Sequence, residues 1–110
     1  MIRVLVAGLG KMGLSHALAH HHNPNAQIVG LVDRSPVSLP DGMQDYPWFD
    51  ILAEGLAATE PDLVCLATYS DIHAEYALAA IAAGAHVFVE KPLANNVHDA
   101  ERVVAAATAA

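Results

Sequence analysis

The sequence predicts an α/β fold in which helices cover both faces of an open parallel sheet. Short apolar runs alternate with stretches of helical periodicity along the whole chain. Ala, Val and Leu are abundant and aromatic residues make up only 5%, as expected for strands buried on both faces. A glycine-rich turn, GLGKMG, directly follows the first apolar run. Together these features are typical of a Rossmann-type, doubly wound, three-layer domain. We assign all 110 residues, 1–110, to one domain.

The composition disfavours several classes of protein. A net charge of −7 argues against binding to nucleic acid or to an anionic membrane. No apolar run reaches the roughly 18–20 residues that span a bilayer, and the first residues lack a signal-peptide cleavage pattern. The single cysteine, Cys65, lies in an apolar run, which predicts a buried core thiol and no internal disulfide. We expect a soluble, cytoplasmic protein.

The first strand is predicted at Ile2–Ala7, in the centre of the sheet. It runs into a G-x-G-x-x-G motif, in which Gly8 permits a sharp turn. Gly10 lets the backbone approach a pyrophosphate, and Gly13 permits close packing of the following helix, residues 11–21. The N–H groups and positive dipole end of that helix face the same place. The motif predicts a dinucleotide site formed by Gly8, Leu9, Gly10, Lys11, Met12 and Gly13.

This first helix is expected to turn four apolar side chains toward the sheet: Met12, Leu14, Leu18 and Ala19. His16 and His20 have the i, i+4 spacing that could hold a metal ion. Because no carboxylate or thiol lies at ligand spacing, we favour a polar helix end in which imidazoles complement the dipole, and no metal.

The second strand, Ala26–Val32, ends at Asp33, about twenty residues beyond the last glycine of the motif. At that distance an acid is expected to accept hydrogen bonds from a ribose 2′-hydroxyl. NAD is therefore the favoured cofactor, because a 2′-phosphate would face a carboxylate. Arg34 instead could pair with a 2′-phosphate or stack on adenine, so NADP is the alternative.

The segment after the second strand departs from a regular βαβ repeat. Residues 35–45 contain two prolines and a glycine and lack helical periodicity, so the crossover helix is predicted to be reduced to a loop. Residues 46–49 are expected to form a very short edge strand. Asp50 is a plausible N-cap for a short helix with three side chains turned inward: Ile51, Leu52 and Leu56.

The next strand is predicted at residues 63–67. Ser70 or Asp71 is expected to cap a helix that runs to about Ala83, with Gly84 just beyond its end. The predicted buried stripe of this helix contains Ile72, Tyr76, Ala79, Ala80 and Ala83.

The following strand, His86–Val89, leads to Glu90-Lys91-Pro92. Asn96, with Asp99 three residues later, is expected to cap a final helix. Its predicted inner face contains Val97, Ala100, Val103, Val104 and Ala107.

Ligands bind beyond the carboxyl ends of strands in such a sheet. This rule brings together the glycine turn, Asp33, the segment 68–73 and Lys91. A lysine there could donate a hydrogen bond to a carbonyl oxygen or exchange a proton with an alcohol. A surface ion pair beside a turn is the alternative interpretation.

Four segments of the chain resemble one family: VLVAGLGKMG, IVGLVDR, DLVCLAT and, most specifically, IAAGAHVFVEKPL. This family is the glucose–fructose oxidoreductase / inositol dehydrogenase / rhizopine catabolism family, abbreviated Gfo/Idh/MocA. The resemblance is to its N-terminal NAD(P)-binding domain and covers nearly the whole chain.

The resemblance implies hydride transfer between NAD(P) and the hydroxyl or carbonyl group of a sugar, cyclitol or related compound. It implies that Lys91 contacts the reacting oxygen and that Glu90 helps to position lysine and cofactor. Thr68 and His73 match positions that line the cofactor, and Pro92 belongs to the same E-K-P motif.

The chain also departs from the family. Tyr69 and Ser70 stand where the family usually has Pro-Asn. The family's second domain, which supplies the substrate surface and subunit contacts, is absent, so the sheet is expected to be truncated and the chain alone inactive. The alternative function is a non-catalytic nucleotide-binding or sensing module that pairs with another chain through the last helix and strand edge. NAD-assisted lyase or glycosidase chemistry and homo-oligomer formation also stay open.

Overall fold

The computed structural model describes residues 1–35, 37–91 and 93–110, with the backbone alone at residue 70. In these ranges strands alternate with helices, except that the second and third strands follow each other directly. A 3₁₀ turn (Ser70–Ile72) precedes the third helix. The elements are β1 (Ile2–Ala7), α1 (Lys11–His22), β2 (Ala26–Val32), β3 (Trp48–Phe49), α2 (Leu52–Thr59), β4 (Leu63–Leu66), α3 (His73–Ala82), β5 (His86–Val89) and α4 (Val97–Ala109).

The five strands form one parallel sheet in the order β3-β2-β1-β4-β5. The chain builds outward from β1 to β3 and then crosses to β4 on the other side. This reversal beside β1 is the switch point at which doubly wound sheets bind ligands. The predicted fold class is confirmed, and so are the predicted ranges of β1, β2 and β5.

The central strand β1 contributes to the core on both faces of the sheet. Leu5 and Ala7 pack with α2, α3 and α4, whereas Val4 and Val6 pack with α1. All four side chains are 0% exposed. Cys65 belongs to the α1 side and is buried as predicted.

Helix α1 packs on the sheet through small residues. Its buried positions are Gly13 and Ala17, one turn apart, whereas Met12 is 54% exposed and Ala19 is exposed. The predicted inner face was therefore wrong at Met12 and Ala19, and its two leucines are half-buried. The reason is close approach: a Cβ on Gly13 would lie 1.7 Å from the Gly8 carbonyl oxygen, which leaves no room for a large side chain.

The predicted cap of α2 was wrong. The N-cap residue is Ile51, no side chain caps the helix, and Asp50 is exposed one residue too early. The backbone at Ile51 is extended (φ −133°, ψ 149°), so this residue lies outside the helix, which begins at Leu52. Ile51 is 46% exposed rather than inward, whereas Leu52 and Leu56 are buried as predicted.

Helix α3 begins later than predicted, at His73, because the 3₁₀ turn takes up the preceding residues. Neither Ser70 nor Asp71 is the N-cap, which is Ile72 without a side-chain hydrogen bond. The predicted end is confirmed. Gly84 has φ +87° and donates its N–H to the carbonyl of Ile81, a geometry that favours glycine.

The buried face of α3 is rotated from the predicted stripe. Tyr76 and Ile72 are half-buried, and Ala79 and Ala83 are exposed, so only Ala80 is buried as predicted. The buried residues are His73, Ala74, Ala77, Ala80 and Ile81. In so alanine-rich a helix, side-chain size does not distinguish one face from another, and packing against the sheet decides.

Helix α4 has the predicted cap and a narrower buried face. The Asn96 side chain accepts a hydrogen bond from the Asp99 N–H at 2.8 Å. Val103 is 3% exposed, whereas Val97 and Val104 are 73% and 56% exposed, so the predicted inner face was wrong at both valines. Ala100 is half-buried and Ala107 is exposed. No helix in the described ranges is long and apolar enough to cross a membrane.

Candidate functional site

A cleft of about 780 Å³ lies at the carboxyl edge of the sheet. The glycine turn, the ends of β2, β4 and β5 and the start of α3 form its walls. It brings together eleven residues singled out from the sequence: Gly8, Leu9, Gly10, Lys11, Met12, Asp33, Arg34, Thr68, His73, Glu90 and Lys91. Gly13 lies buried in the contact between α1 and the turn, and Pro92 lies outside the described residues.

The glycine turn brings the backbone of β1 against the end of β4. Gly8 has φ +89°, and a Cβ there would lie 2.5 Å from the Ala67 carbonyl oxygen. Its N–H donates to the Val32 carbonyl at 2.8 Å, which ties the turn to the end of β2. A Cβ on Gly10, in contrast, would meet nothing within 4 Å. The space at Gly10 therefore opens toward the cleft.

The N-terminus of α1 is aimed at this open space. Gly10 is the N-cap and no side chain caps the helix. The first helical bond runs from the Leu14 N–H to the Gly10 carbonyl at 2.8 Å. The earlier N–H groups have no acceptor within the helix, and with the positive dipole end they suit a phosphate group.

Asp33 connects the end of β2 to the glycine turn. Its Oδ2 accepts a hydrogen bond from the Leu9 N–H at 2.8 Å, and its Oδ1 accepts one from the Ser35 N–H at 3.0 Å. An ionised carboxylate has about four acceptor positions, so both oxygens retain capacity for a further donor. The side chain is thus fixed and still able to bind hydroxyl groups.

The segment between β4 and α3 is shaped by a buried histidine. His73 is 1% exposed, and its Nε2 lies 2.8 Å from the Thr68 carbonyl oxygen. Because a carbonyl only accepts, this nitrogen donates the hydrogen bond. The Ile72 N–H donates to the Tyr69 carbonyl at 3.1 Å, closing the turn. Tyr69 is 84% exposed and lines the cleft.

At the end of β5, the Glu90 carboxylate pairs with Nε2 of His16 from α1. The His16 ring also lies 5.0 Å from the ring of Phe88, at an interplanar angle of 58°. The Glu90 N–H donates to the Leu66 carbonyl at 2.9 Å. Both the side chain and the backbone of Glu90 are therefore held, one residue before Lys91. Sequence reasoning missed this role of His16, because the partners are 74 residues apart and no local pattern relates them.

Cys65 lies close enough to Glu90 to be affected by its charge. Burial, with a further contribution from the Glu90 carboxylate, raises the pKa of the Cys65 thiol to about 11. The thiol is therefore protonated at neutral pH and is no nucleophile.

The other histidines of α1, His20, His21 and His22, are not among the residues that line the cleft. His21 Nδ1 lies 2.6 Å from the Tyr46 hydroxyl. Burial, and then the neighbouring His16, lowers the pKa of His20. Within the described ranges, no group of three His, Cys, Asp or Glu side chains could hold a metal ion.

A second cavity of about 340 Å³ adjoins the β2–β3 end of the cleft. Its lining residues are Arg34, Val37, Leu39, Trp48 and Asp50. Arg34, Val37 and Asp50 also line the main cleft, so the two spaces share a wall. No sequence pattern indicated that Trp48 or Asp50 lies here, because their positions follow from the pairing of β3 with β2.

The sequence profile of the Gfo/Idh/MocA oxidoreductase family, NAD-binding Rossmann fold, matches residues 2–110. The chain belongs to this family. Its fold and its glycine turn are those of the family's NAD-binding domain, as the sequence predicts.

Three relatives illustrate the similarity. Inositol 2-dehydrogenase 3 of Saccharopolyspora erythraea is 44% identical over 114 residues, covering 98% of this chain and 33% of that protein. The structure of GenD2 from gentamicin A biosynthesis, in complex with NAD, has a TM-score of 0.88 and 33% identity, covering 98% of this chain and 32% of that one. WlbA of Bordetella pertussis, in complex with NADH and UDP-GlcNAcA, has a TM-score of 0.86 and 30% identity, covering 99% and 35%. The chain thus spans about a third of these proteins.

Proposed function

We propose that the cleft binds NAD along the carboxyl edge of the sheet, as part of a dehydrogenase. The pyrophosphate lies at Gly10 and the start of α1, the adenosine ribose at Asp33, and the nicotinamide near Glu90 and Lys91. The single observation that carries this proposal is the open space at Gly10, above an uncapped helix N-terminus and beside the fixed Asp33 carboxylate.

The residues present fit a dinucleotide in both shape and charge. The volume of about 780 Å³ lies within the range of small-molecule and cofactor sites. The end beside β2 offers a carboxylate to a ribose diol, and the middle, beside β1, offers N–H donors to a diphosphate. The other end presents Lys91 beside Glu90.

When bound, NAD supplies a nicotinamide ring that accepts or donates a hydride. Lys91 would donate a hydrogen bond to the reacting oxygen of the substrate, and would take its proton during oxidation or return it during reduction. The pair of Glu90 with His16 holds the backbone that leads to this lysine. Pro92, named with them from the sequence, stays a prediction as a cofactor contact.

The substrate class follows from the family and stays a proposal. One relative is named inositol 2-dehydrogenase and another was solved in complex with UDP-GlcNAcA, so we propose a sugar, cyclitol or related hydroxyl or carbonyl compound. In this proposal the described cleft provides the contacts to the cofactor. We further propose that a second domain of the kind found in this family completes the substrate surface and that the enzyme forms a homo-oligomer. A cytoplasmic location also stays a prediction.

Two measurements test the proposal. The first is titration of the chain with NADH, followed by energy transfer from Trp48, the one tryptophan in the sequence. We expect saturable binding, and an absence of binding would contradict the proposal.

The second measurement compares Lys91→Ala with wild type in an enzyme completed by the substrate domain. Loss of a proton-transfer group is expected to reduce turnover by about 10²–10⁴-fold, with NADH affinity within about threefold of wild type. Lys91→Arg is the matched control, because it keeps the positive charge but does not readily give up a proton. Relative to Lys91→Ala, it should recover substrate binding to a greater degree than it recovers turnover. Wild-type turnover in Lys91→Ala would exclude the catalytic role.

A second candidate function is a non-catalytic nucleotide-binding module that pairs with another chain. It is favoured by the apolar residues left exposed on the edge strand and last helix, Phe88 (47%), Val97 (73%) and Val104 (56%). Under this candidate, Phe88→Lys abolishes assembly, whereas Lys91→Ala leaves every activity of the assembled protein intact.

A further inference from the structure

The ends of β2 and β3 place two carboxylates side by side in the cleft. Strands β2 and β3 pair in parallel, with Leu31 opposite Trp48 and Val32 opposite Phe49. The Asp33 N–H then donates to the Phe49 carbonyl at 3.1 Å, which extends the ladder by one step. The next position along this register sets Asp33 beside Asp50. Adjacent strands lie about 4.8 Å apart, so the two residues are near neighbours.

Both side chains line the main cleft, but they differ in what holds them. Asp33 is half-buried, and each of its oxygens already accepts a backbone N–H. Asp50 is exposed and lines the adjoining cavity as well, with Arg34 and Trp48. Asp33 is therefore the acceptor whose position is fixed, whereas Asp50 is an exposed negative charge at the same β2–β3 end of the cleft.

The charges at this end bear on which dinucleotide is accepted. A 2′-phosphate carries about −1.5 to −2 charges at pH 7, whereas a 2′-hydroxyl carries none. Arg34 alone would favour the phosphate. Two carboxylates beside one guanidinium leave the end net negative, which favours the uncharged hydroxyl.

We propose that Asp50 is a second determinant of cofactor specificity, which discriminates against NADP by repelling its 2′-phosphate while Asp33 binds the ribose hydroxyls. This inference rests on the proposed binding of NAD in the cleft and adds to it the residue that excludes the phosphorylated cofactor. Because Asp50 neither caps α2 nor contributes to the core, its replacement leaves the fold intact.

The test is the ratio of the NADPH and NADH dissociation constants, measured by titration at low salt. For Asp50→Asn we expect NADPH to bind about 5- to 20-fold more tightly than it binds wild type, with NADH within about twofold. Asp50→Glu, which keeps the charge, should retain the wild-type ratio. The matched control is Asp41→Asn, an equal charge change at an exposed residue outside both sets of lining residues, and it should alter neither constant.

Salt distinguishes repulsion from a structural effect. If Asp50 acts by its charge, the difference between Asp50→Asn and wild type shrinks as the ionic strength rises toward about 1 M. An unchanged ratio in Asp50→Asn, or an equal change in Asp41→Asn, would overturn the inference while NADH binding by wild type upholds the proposed function. Failure of wild type to bind either dinucleotide would overturn both.

Discussion

The glycine turn offers a matched pair of substitutions that separates fold stability from cofactor binding. Gly10 and Gly13 are three residues apart in the same motif, and each would gain one methyl group on replacement by alanine. At Gly13 that methyl would lie 1.7 Å from the Gly8 carbonyl oxygen, a backbone atom that cannot move aside cheaply. At Gly10 it would meet nothing within 4 Å.

The expected stability changes follow from these surroundings. Gly13→Ala gains about 1 kcal/mol of helix propensity, but the clash forces α1 away from the sheet. Overpacking costs about 1–3 kcal/mol, and because a backbone atom must shift here we take the upper end, which after the propensity gain leaves a net loss of about 2 kcal/mol. That corresponds to a fall in Tm of roughly 8–16 °C for a domain of this size. Gly10 has φ −68°, which alanine adopts freely, so we expect Gly10→Ala to change stability by less than about 1 kcal/mol.

For cofactor binding, we expect the direct effect at Gly10 rather than at Gly13. The new methyl in Gly10→Ala occupies the space in which a pyrophosphate approaches the helix N-terminus, so NADH affinity should fall by about 10- to 100-fold in a fully folded protein. Thermal unfolding by circular dichroism and NADH titration on the same samples provide both quantities.

Either of two results would refute this reasoning. One is a Gly13→Ala protein as stable as wild type, which would mean that α1 does not pack against the turn as described. The other is a folded Gly10→Ala protein that binds NADH as tightly as wild type, which would place the diphosphate elsewhere.

Three further predictions concern single contacts. Removing the imidazole in His16→Ala leaves the carboxylate at the end of β5 unpaired and should lower the free energy of unfolding by about 1–2 kcal/mol, whereas His22→Ala, at an exposed position, should change it by less than about 0.5 kcal/mol in urea unfolding. Asn96→Ala removes the cap of α4 and should cost about 1 kcal/mol by the same measurement, and an equal loss in the exposed neighbour Asn95→Ala would contradict that assignment. The pKa of Cys65 is raised to about 11 in the folded protein, so the thiol of the unfolded chain ionises first as the pH rises. The free energy of unfolding, measured relative to that of Cys65→Ala, should therefore be constant below about pH 9 and fall between pH 9 and pH 11. A constant difference across that window would refute this prediction.

The ranges of β1, β2 and β5 were predictable because each depends on residues adjacent in sequence. Apolar runs bounded by glycine, proline or aspartate predict β1 and β2, and the glycine motif predicts the turn between β1 and α1. The Schellman-type end at Gly84 follows from one residue type at one position. These signals are local, and the structure confirms them.

The helix faces were not predictable to the same degree. On α1 the residues nearest the sheet are the smallest, Gly13 and Ala17, because the helix lies too close for Met12. On α3 and α4 alanine occupies several faces, so that apolar periodicity has no single direction. Packing against the sheet, a tertiary effect, chose between them.

The residues of the site likewise fall into two groups, those predictable from local sequence and those that depend on tertiary contacts. The residues of the cleft that belong to motifs were predictable, because topology alone brings strand ends together. The pair of His16 with Glu90 and the position of Asp50 were not, because each depends on contacts between segments distant in sequence. Asp50 was even assigned a different task, as a helix cap.

The double attachment of Asp33 constrains any attempt to re-engineer cofactor preference. Its carboxylate fastens the glycine turn to the second strand through the Leu9 N–H, and it is also the group that we propose binds the ribose. Exchanging this aspartate for a small or basic residue would release the glycine turn, and under the proposed binding mode this would weaken binding of both cofactors. Mutational paths to NADP use should therefore begin at the untethered Asp50 and reach Asp33 only after some other side chain has replaced its hold on the turn.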